Sequence, residues 1–281
     1  MSAISVIRSL PDRPAPARTA IRRRPRQYGT LIYGLPLMAF LLLVWEIAPR
    51  LDWISPIFFP PISAVAERWV ELAANGDIWR HTSISLQRTF TGFFLAVAVA
   101  IPLGFLMGYY PLFEKITDFF VQTLRNTSQF ALLPVFILVF GIGEASKVAV
   151  TFYSAVFFLL INTIAGVKSV DPLLIRAAKS MGTSSFDLFR KVILPASIPS
   201  IVAGARLAVK ASIFAVIAAE MLAANSGLGY LVQHSQLMMQ TTDMYSGIIT
   251  LTAIGLIINY LLVWGERRAT AWNVPAGNTE S

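Results

Sequence analysis

"LLIRAAKSMGTSSFDLFRKVILPASIPS", residues 173–200, is a polar, helix-forming insert in a chain that is otherwise mostly apolar. It carries Arg176, Lys179, Asp187, Arg190 and Lys191, a lone Gly182, and Pro195 and Pro199. Asp171-Pro172 just before it is a helix-start signal, a capping side chain followed by proline at the first helical position. The pattern predicts a helix over 173–181 that ends at Gly182. Ser184 or Ser185 then caps a second short helix bearing Phe186, Leu188 and Phe189, which stops before Pro195. Phe186 and Phe189 are three apart and are expected to share a face. Two short helices joined at a glycine make a compact knob. Apolar residues in a basic frame suit a docking surface for another protein or packing against the chain's own bundle, and residue chemistry alone leaves both open.

The surroundings decide where such a knob sits. The chain has 281 residues, 56% hydrophobic and 14% charged, with mean hydropathy +0.64. A soluble domain carries about 25% charged residues. The apolar runs are too long for buried strands or ordinary core helices, so the composition points to a polytopic, all-α membrane protein. The net charge of +8 clusters beside apolar spans, as the positive-inside pattern requires, and forms no basic stripe of the kind nucleic acid would need. There are no cysteines, which excludes disulfides and thiolate metal sites. His81 and His234 have no ligand-like neighbours in sequence, and no metal site is expected.

Residues 1–30, with "RRRPR" at 22–26, are expected to form a disordered basic cytoplasmic tail. Residues 31–49 are expected to be the first transmembrane helix, retained rather than cleaved as a signal peptide. Residues 50–88 are expected to be a periplasmic interfacial segment, because "PPISAVAERWVELAANGDIW" has helical apolar spacing and a charged opposite face. Residues 89–268 are expected to be a core five-helix domain. Its spans fall at 89–110, 119–140, 147–167, 197–222 and 246–264, with the knob at 171–192. Residues 269–281 complete the reading as a cytoplasmic tail. Six spans place both termini on one side. Lys and Arg concentrate in 1–30, 168–191 and at Arg267 and Arg268, and are absent from 223–245. This bias predicts both termini, and the knob, in the cytoplasm.

"RAAKSMGTSSFDLFRKVILP" resembles the EAA motif of permease subunits in binding-protein-dependent ABC importers. That motif is Glu-Ala-Ala, three residues, Gly, nine residues, Ile-x-Leu-Pro. Ala177, Ala178, Gly182, Val192, Leu194 and Pro195 fall on it; Arg176 replaces the usual Glu and Val192 the Ile. "DIWRHTSISLQRTFTGF" (77–93), "FGIGEASK" (140–147), "NTIAGVKSVDP" (162–172), "SGLGYL" (226–231) and "VWGERR" (263–268) look like the nitrate/sulfonate/taurine/bicarbonate branch. The likeness covers roughly residues 55–270. It implies the architecture of a type I importer permease, six transmembrane helices with a cytoplasmic coupling-helix insert. It also implies a non-catalytic subunit in the bacterial inner membrane, working with a second copy of itself, two cytoplasmic ATPase subunits and a periplasmic substrate-binding protein. ATP and Mg would be bound by the partner subunits, and no cofactor by this chain. Arg176, Ala177, Ala178, Lys179, Gly182, Phe186, Phe189, Leu194 and Pro195 would couple to the ATPase. The cargo implied is a small anion, most like taurine or an alkanesulfonate; nitrate, bicarbonate or a thiamine-precursor-like cargo also occurs in the branch.

No Walker-type phosphate loop is present. "GIGE" (141–144) and "GLG" (227–229) read as tight outer turns. Arg206 and Lys210, one turn apart, either snorkel or line the pathway. Glu220 lies fourteen residues beyond Arg206, about 40° around the helix and about 21 Å along it, and pathway lining is the preferred reading of that face over helix packing. Arg125 is open between snorkelling and lining. "GFLMG" (Gly104 to Gly108) permits close helix contact. No chain of intramembrane His, Asp or Glu of the proton-relay kind is expected. A secondary transporter working without ATP and a membrane-embedded enzyme are the rival classes; the first does not explain the EAA spacing, and the second needs a cluster of titratable residues at one depth, which the sequence lacks.

Overall fold

The computed structural model describes residues 28–269. Most of the expected tail at 1–30, and all but the first residue of that at 269–281, lie outside the described residues. The described elements are helices α1 (Tyr28–Arg50), α2 (Ile62–Ala74), α3 (Asp77–Tyr109), α4 (Pro111–Asn126), α5 (Gln129–Phe140), α6 (Glu144–Lys168), α7 (Pro172–Ser180), α8 (Ser185–Leu188), α9 (Leu194–Ala223), α10 (Leu228–Leu237) and α11 (Thr241–Ala269), with a π-helical turn at Phe189–Ile193 between α8 and α9. No strand occurs among the described residues. The chain divides into two units, Met1–Trp45 and Glu46–Ser281. Of the first, only the leading part of α1 is described; everything below concerns the second.

Four helices, α3, α6, α9 with its preceding turns, and α11, are long and apolar enough to cross a membrane, and the pair α4–α5 qualifies only together. A bilayer core about 30 Å thick needs about 20 apolar residues in helix. The membrane supplies no hydrophobic force between helices, so their association rests on close packing. Glycines supply it. A Cβ on Gly92, Gly104 or Gly108 of α3 would lie 2.6–2.7 Å from the Cβ of Thr151, Thr163 or Val167 of α6. Each partner is 59 residues further on (151 − 92, 163 − 104, 167 − 108), so α3 and α6 run parallel and in register. Gly204 of α9 meets Asn162, and Gly166 meets Ser200; both pairs sum to 366, so α6 and α9 are antiparallel. Several buried hydroxyls in these helices bond to the carbonyl four residues earlier, as Thr151 does to Lys147 and Thr163 to Leu159, both at 2.7 Å. That satisfies them without water.

The expected third span at 119–140 is corrected to a broken one. It starts at Pro111 and bends by 96° at the break between α4 and α5. Lys168 at the end of α6 pairs with Glu114 at the start of α4 at 2.5 Å. Glu144 at the start of α6 pairs with Arg88 of α3. The segment from 111 to 140 therefore joins opposite ends of the bundle, and α4–α5 crosses it. The bend falls in the polar run Arg125 to Gln129.

The segment 50–88, expected to be interfacial throughout, is corrected at its C-terminal end. α2 forms within it, but Asp77–Arg88 are the first turns of α3. Gly76, at φ +89°, ends the preceding turn, and Asp77 favours a helix N-terminus. α2 buries Val65 and Leu72. It is tied to α11 by Arg68 Nε donating to Asp243 at 2.6 Å and by Trp69 Nε1 donating to Thr250 at 2.9 Å. Asp243, and then Glu71, raise the pKa of Arg68 above the ordinary arginine value. α10, in the segment 223–245, had no counterpart in the sequence reading.

Candidate functional site

The knob forms at the end of the bundle where α6 stops. Asp171 accepts the Leu173 N–H at 2.8 Å and Ser184 accepts the Asp187 N–H at 3.2 Å, so both expected caps operate. Gly182 sits at φ +75°. The Thr183 N–H reaches the Ala178 carbonyl and the Gly182 N–H that of Lys179, the paired bonds of a Schellman ending that favours glycine there.

Two expectations fail here. Pro195 does not end the second helix. The Leu194 N–H bonds to the Phe189 carbonyl, opening a π turn. That wider turn accommodates the proline ring, which would otherwise crowd the carbonyl four residues back. α8, the π turn and α9 run on as one helical segment of 39 residues, Ser185–Ala223. Phe186 and Phe189 also part company, because Phe189 packs edge-on against Phe105 of α3 at 5.0 Å between ring centroids, while Phe186 is 69% exposed. The buried side of the knob is Ala178, Leu188 and Ile193 against Phe105, Val167 and Val170. Leu194 packs at its edge. The outer side bares Leu173, Leu174, Met181 and Phe186. Beside them a hollow of about 420 Å³ is lined by Leu174, Ala177, Met181, Lys191, Val192 and Pro195. Arg176, Ala177 and Lys179 are exposed. Arg176 has no hydrogen bond or ion pair among the described residues, so it is presented outward.

The opposite end holds a cluster the sequence reading missed. Glu220, expected on an open face, is 1% exposed: its carboxylate accepts from Arg88 at 2.8 Å, from Ser85 and from the Gly229 N–H at 2.9 Å. Arg88 also donates to Glu144 and to the Ser226 carbonyl. The Gly227 N–H donates to His81 Nδ1 at 3.0 Å and the Leu228 N–H to Ser85 at 2.8 Å. Titratable residues are therefore gathered at one depth, contrary to expectation. "SGLGYL" is bolted by its backbone to α3 and α9. Gly227 has φ +111°, and a Cβ there would lie 2.3 Å from the Glu220 carboxyl. The sequence offered one signal: an acid inside a span needs a partner.

Between these ends lies a cleft of about 960 Å³, lined by the α4–α5 break and by α6 and α9. Lys210 and Arg125 line it; Arg206 does not, because it pairs with Glu266 of α11 at 2.6 Å.

Comparison with known proteins follows the same lines. The family profile "Binding-protein-dependent transport system inner membrane component" matches residues 100–270. A probable ABC transporter permease of Brucella melitensis biotype 1 is 36% identical over 85% of this chain and 97% of its own. The taurine transport system permease protein of Escherichia coli is 34% identical (84% and 88%). A putative aliphatic sulfonates transport permease of Bacillus subtilis is 30% identical (90% and 92%). In fold, the chain is similar to an inward-facing structure of the MetNI methionine ABC transporter, at TM-score 0.60 and 19% identity over 69% of this chain and 94% of that one. A membrane-spanning helical bundle with an EAA-type knob and a match of this extent make the chain a member of the binding-protein-dependent transport system inner membrane components, a multi-pass, non-catalytic ABC permease subunit that works with ATPase and binding-protein components.

Proposed function

We propose that the chain forms the translocation pathway of an importer for a small anion of the taurine or alkanesulfonate type. In this reading two copies form the pathway, the α7–α8 knob of each docks one ATPase subunit that holds ATP and Mg, and both termini lie in the cytoplasm with the knob. A periplasmic binding protein delivers cargo to the opposite end, where α10 and the Gly227 loop lie. The observation that carries the reading is the outward apolar set Leu173, Leu174, Met181 and Phe186 beside the hollow. Apolar side chains of this size, framed by Arg176 and Lys179, suit a partner's apolar pocket with an acidic rim. The taurine and sulfonate relatives support the cargo class.

Reconstituting the chain with its ATPase subunit and candidate binding protein tests this. ATP hydrolysis should rise when the binding protein carries an alkanesulfonate. Uptake without ATPase subunits would overturn it in favour of a secondary transporter, and stimulation by nitrate, bicarbonate or a thiamine precursor alone would replace the cargo.

A further inference from the structure

We infer that Lys210 and Arg125 form an oxyanion site inside the cleft, holding the sulfonate-like head of a small solute; its place in transport rests on the permease reading above. The cations at least half-buried in α3, α6 and α9 differ in how they are compensated. Arg88 has Glu220 and Glu144, Arg206 has Glu266, and Lys147 donates to the Gly143 carbonyl at 2.9 Å. Lys210, near the middle of α9, has no hydrogen bond or ion pair among the described residues. A lysine at such a position is costly unless something neutralises or hydrates it.

The cleft is built for an anion to do so. Its lining contains Lys210 and Arg125 and no Asp or Glu. Gln129 at the α4–α5 break adds an amide to the same space; Asn126 and Asn162, whose Nδ2 groups each donate to the carbonyl four residues earlier, keep one further N–H each. The Ser154 hydroxyl borders it, buried and without a hydrogen-bond partner among the described residues. Phe157, Phe158 and Phe214 form apolar walls. Such walls seat an alkyl chain and limit water, which strengthens attraction to the cations. Neutral and cationic solutes gain nothing from the two cations, so the site selects by charge after the binding protein has released its cargo.

Because the chain lacks cysteine, Phe158→Cys gives a single reporter on the cleft wall. The full chain, in phosphatidylcholine nanodiscs, is treated with methanethiosulfonates bearing an ethylsulfonate or an ethyltrimethylammonium group, and their rates are compared with those on a free thiol. The sulfonate reagent should be favoured, and Lys210→Gln should cut that preference about tenfold, the equivalent of losing one charge-assisted contact. Lys210→Arg should keep it. An uncharged reagent reports whether the cleft is intact. If Lys210→Gln alters that rate, Arg125→Gln supplies the same reading from the exposed side. An unchanged preference in the Gln variants overturns the site. If phosphatidylglycerol abolishes the part of the preference that depends on Lys210, beyond the change it causes in the Lys210→Gln variant through its surface potential, transit is overturned, because a lipid phosphate then occupies the site. The reagent ratio needs neither ATPase nor binding protein, so its failure is separate from failure of the stimulated hydrolysis above.

Discussion

The Arg88 guanidinium lies 2.8 Å from the Glu220 carboxylate, with the two side chains 3% and 0% exposed. The pair joins the N-terminal half of α3 to the last turn of α9, 132 residues apart. A buried pair is a weak source of net stability, but removing one member strands the other at a cost of about 3–5 kcal/mol. Arg88→Ala should therefore lower the melting temperature of the detergent-purified protein sharply, and Glu220→Ala should lower it by less, because Arg88 keeps Glu144. Arg88→Met with Glu220→Leu should recover part of the loss. Two single variants melting like the parent would contradict the buried pairing.

Gly227 tests the same end through the backbone. Gly227→Ala meets both an unfavourable φ, at about 1–2 kcal/mol, and the Glu220 carboxyl at 2.3 Å. Gly141→Ala meets only the φ of +79°, with nothing within 4 Å. The first should be clearly the more destabilising in a thermal melt. Equal effects would mean that the Gly227 loop does not seat against Glu220.

Gly104 holds α3 against α6. Gly104→Leu should splay the pair and reduce the yield of folded protein, while Gly255→Leu on α11, where a Cβ meets nothing within 4 Å, should be tolerated. The fraction running as a single peak in size-exclusion chromatography measures both, and equal loss at the two sites would remove the packing argument.

At the knob, the two phenylalanines should separate docking from folding. Phe186→Glu should abolish co-purification with the ATPase subunit and leave the melting temperature within about 1 °C, because surface changes fall within about 0.5 kcal/mol. Phe189→Ala should lower stability through loss of its contact with Phe105, by up to about 3 kcal/mol given its partial burial. An ATPase subunit that still co-purifies with Phe186→Glu would remove Phe186 from the docking surface.

Apolar runs and helix punctuation made four unbroken spans and the knob legible in the sequence, down to the caps at Asp171 and Ser184 and the turn at Gly182. These signals are local, and so are the interactions behind them. What escaped was long-range or depended on backbone geometry. Arg88 and Glu220 look like an outer-loop charge and a pathway acid until the fold brings them together. Pro195 looks like a stop because proline usually is one, and only the π turn lets the helix run through it. Phe186 and Phe189 are three apart, but on an ideal helix that still sets them about 60° around the axis from each other, so at the edge of the buried side Phe189 meets Phe105 while Phe186 faces outward. In the cleft, Lys210 was visible as an intramembrane cation. That Arg206 has a carboxylate and Lys210 does not depends on Glu266, sixty residues away.

The unbroken run Ser185–Ala223 has a mechanical meaning. At about 1.5 Å per residue its 39 residues make a strut about 58 Å long. Its foot is the knob, its middle carries Lys210, and its head holds Glu220. No loop along it absorbs a push. Two features along it can yield, the five-residue π turn and Pro199 inside α9. Phe186 near the foot and the Glu220 half of the Arg88–Glu220 pair at the head belong to this one helical run.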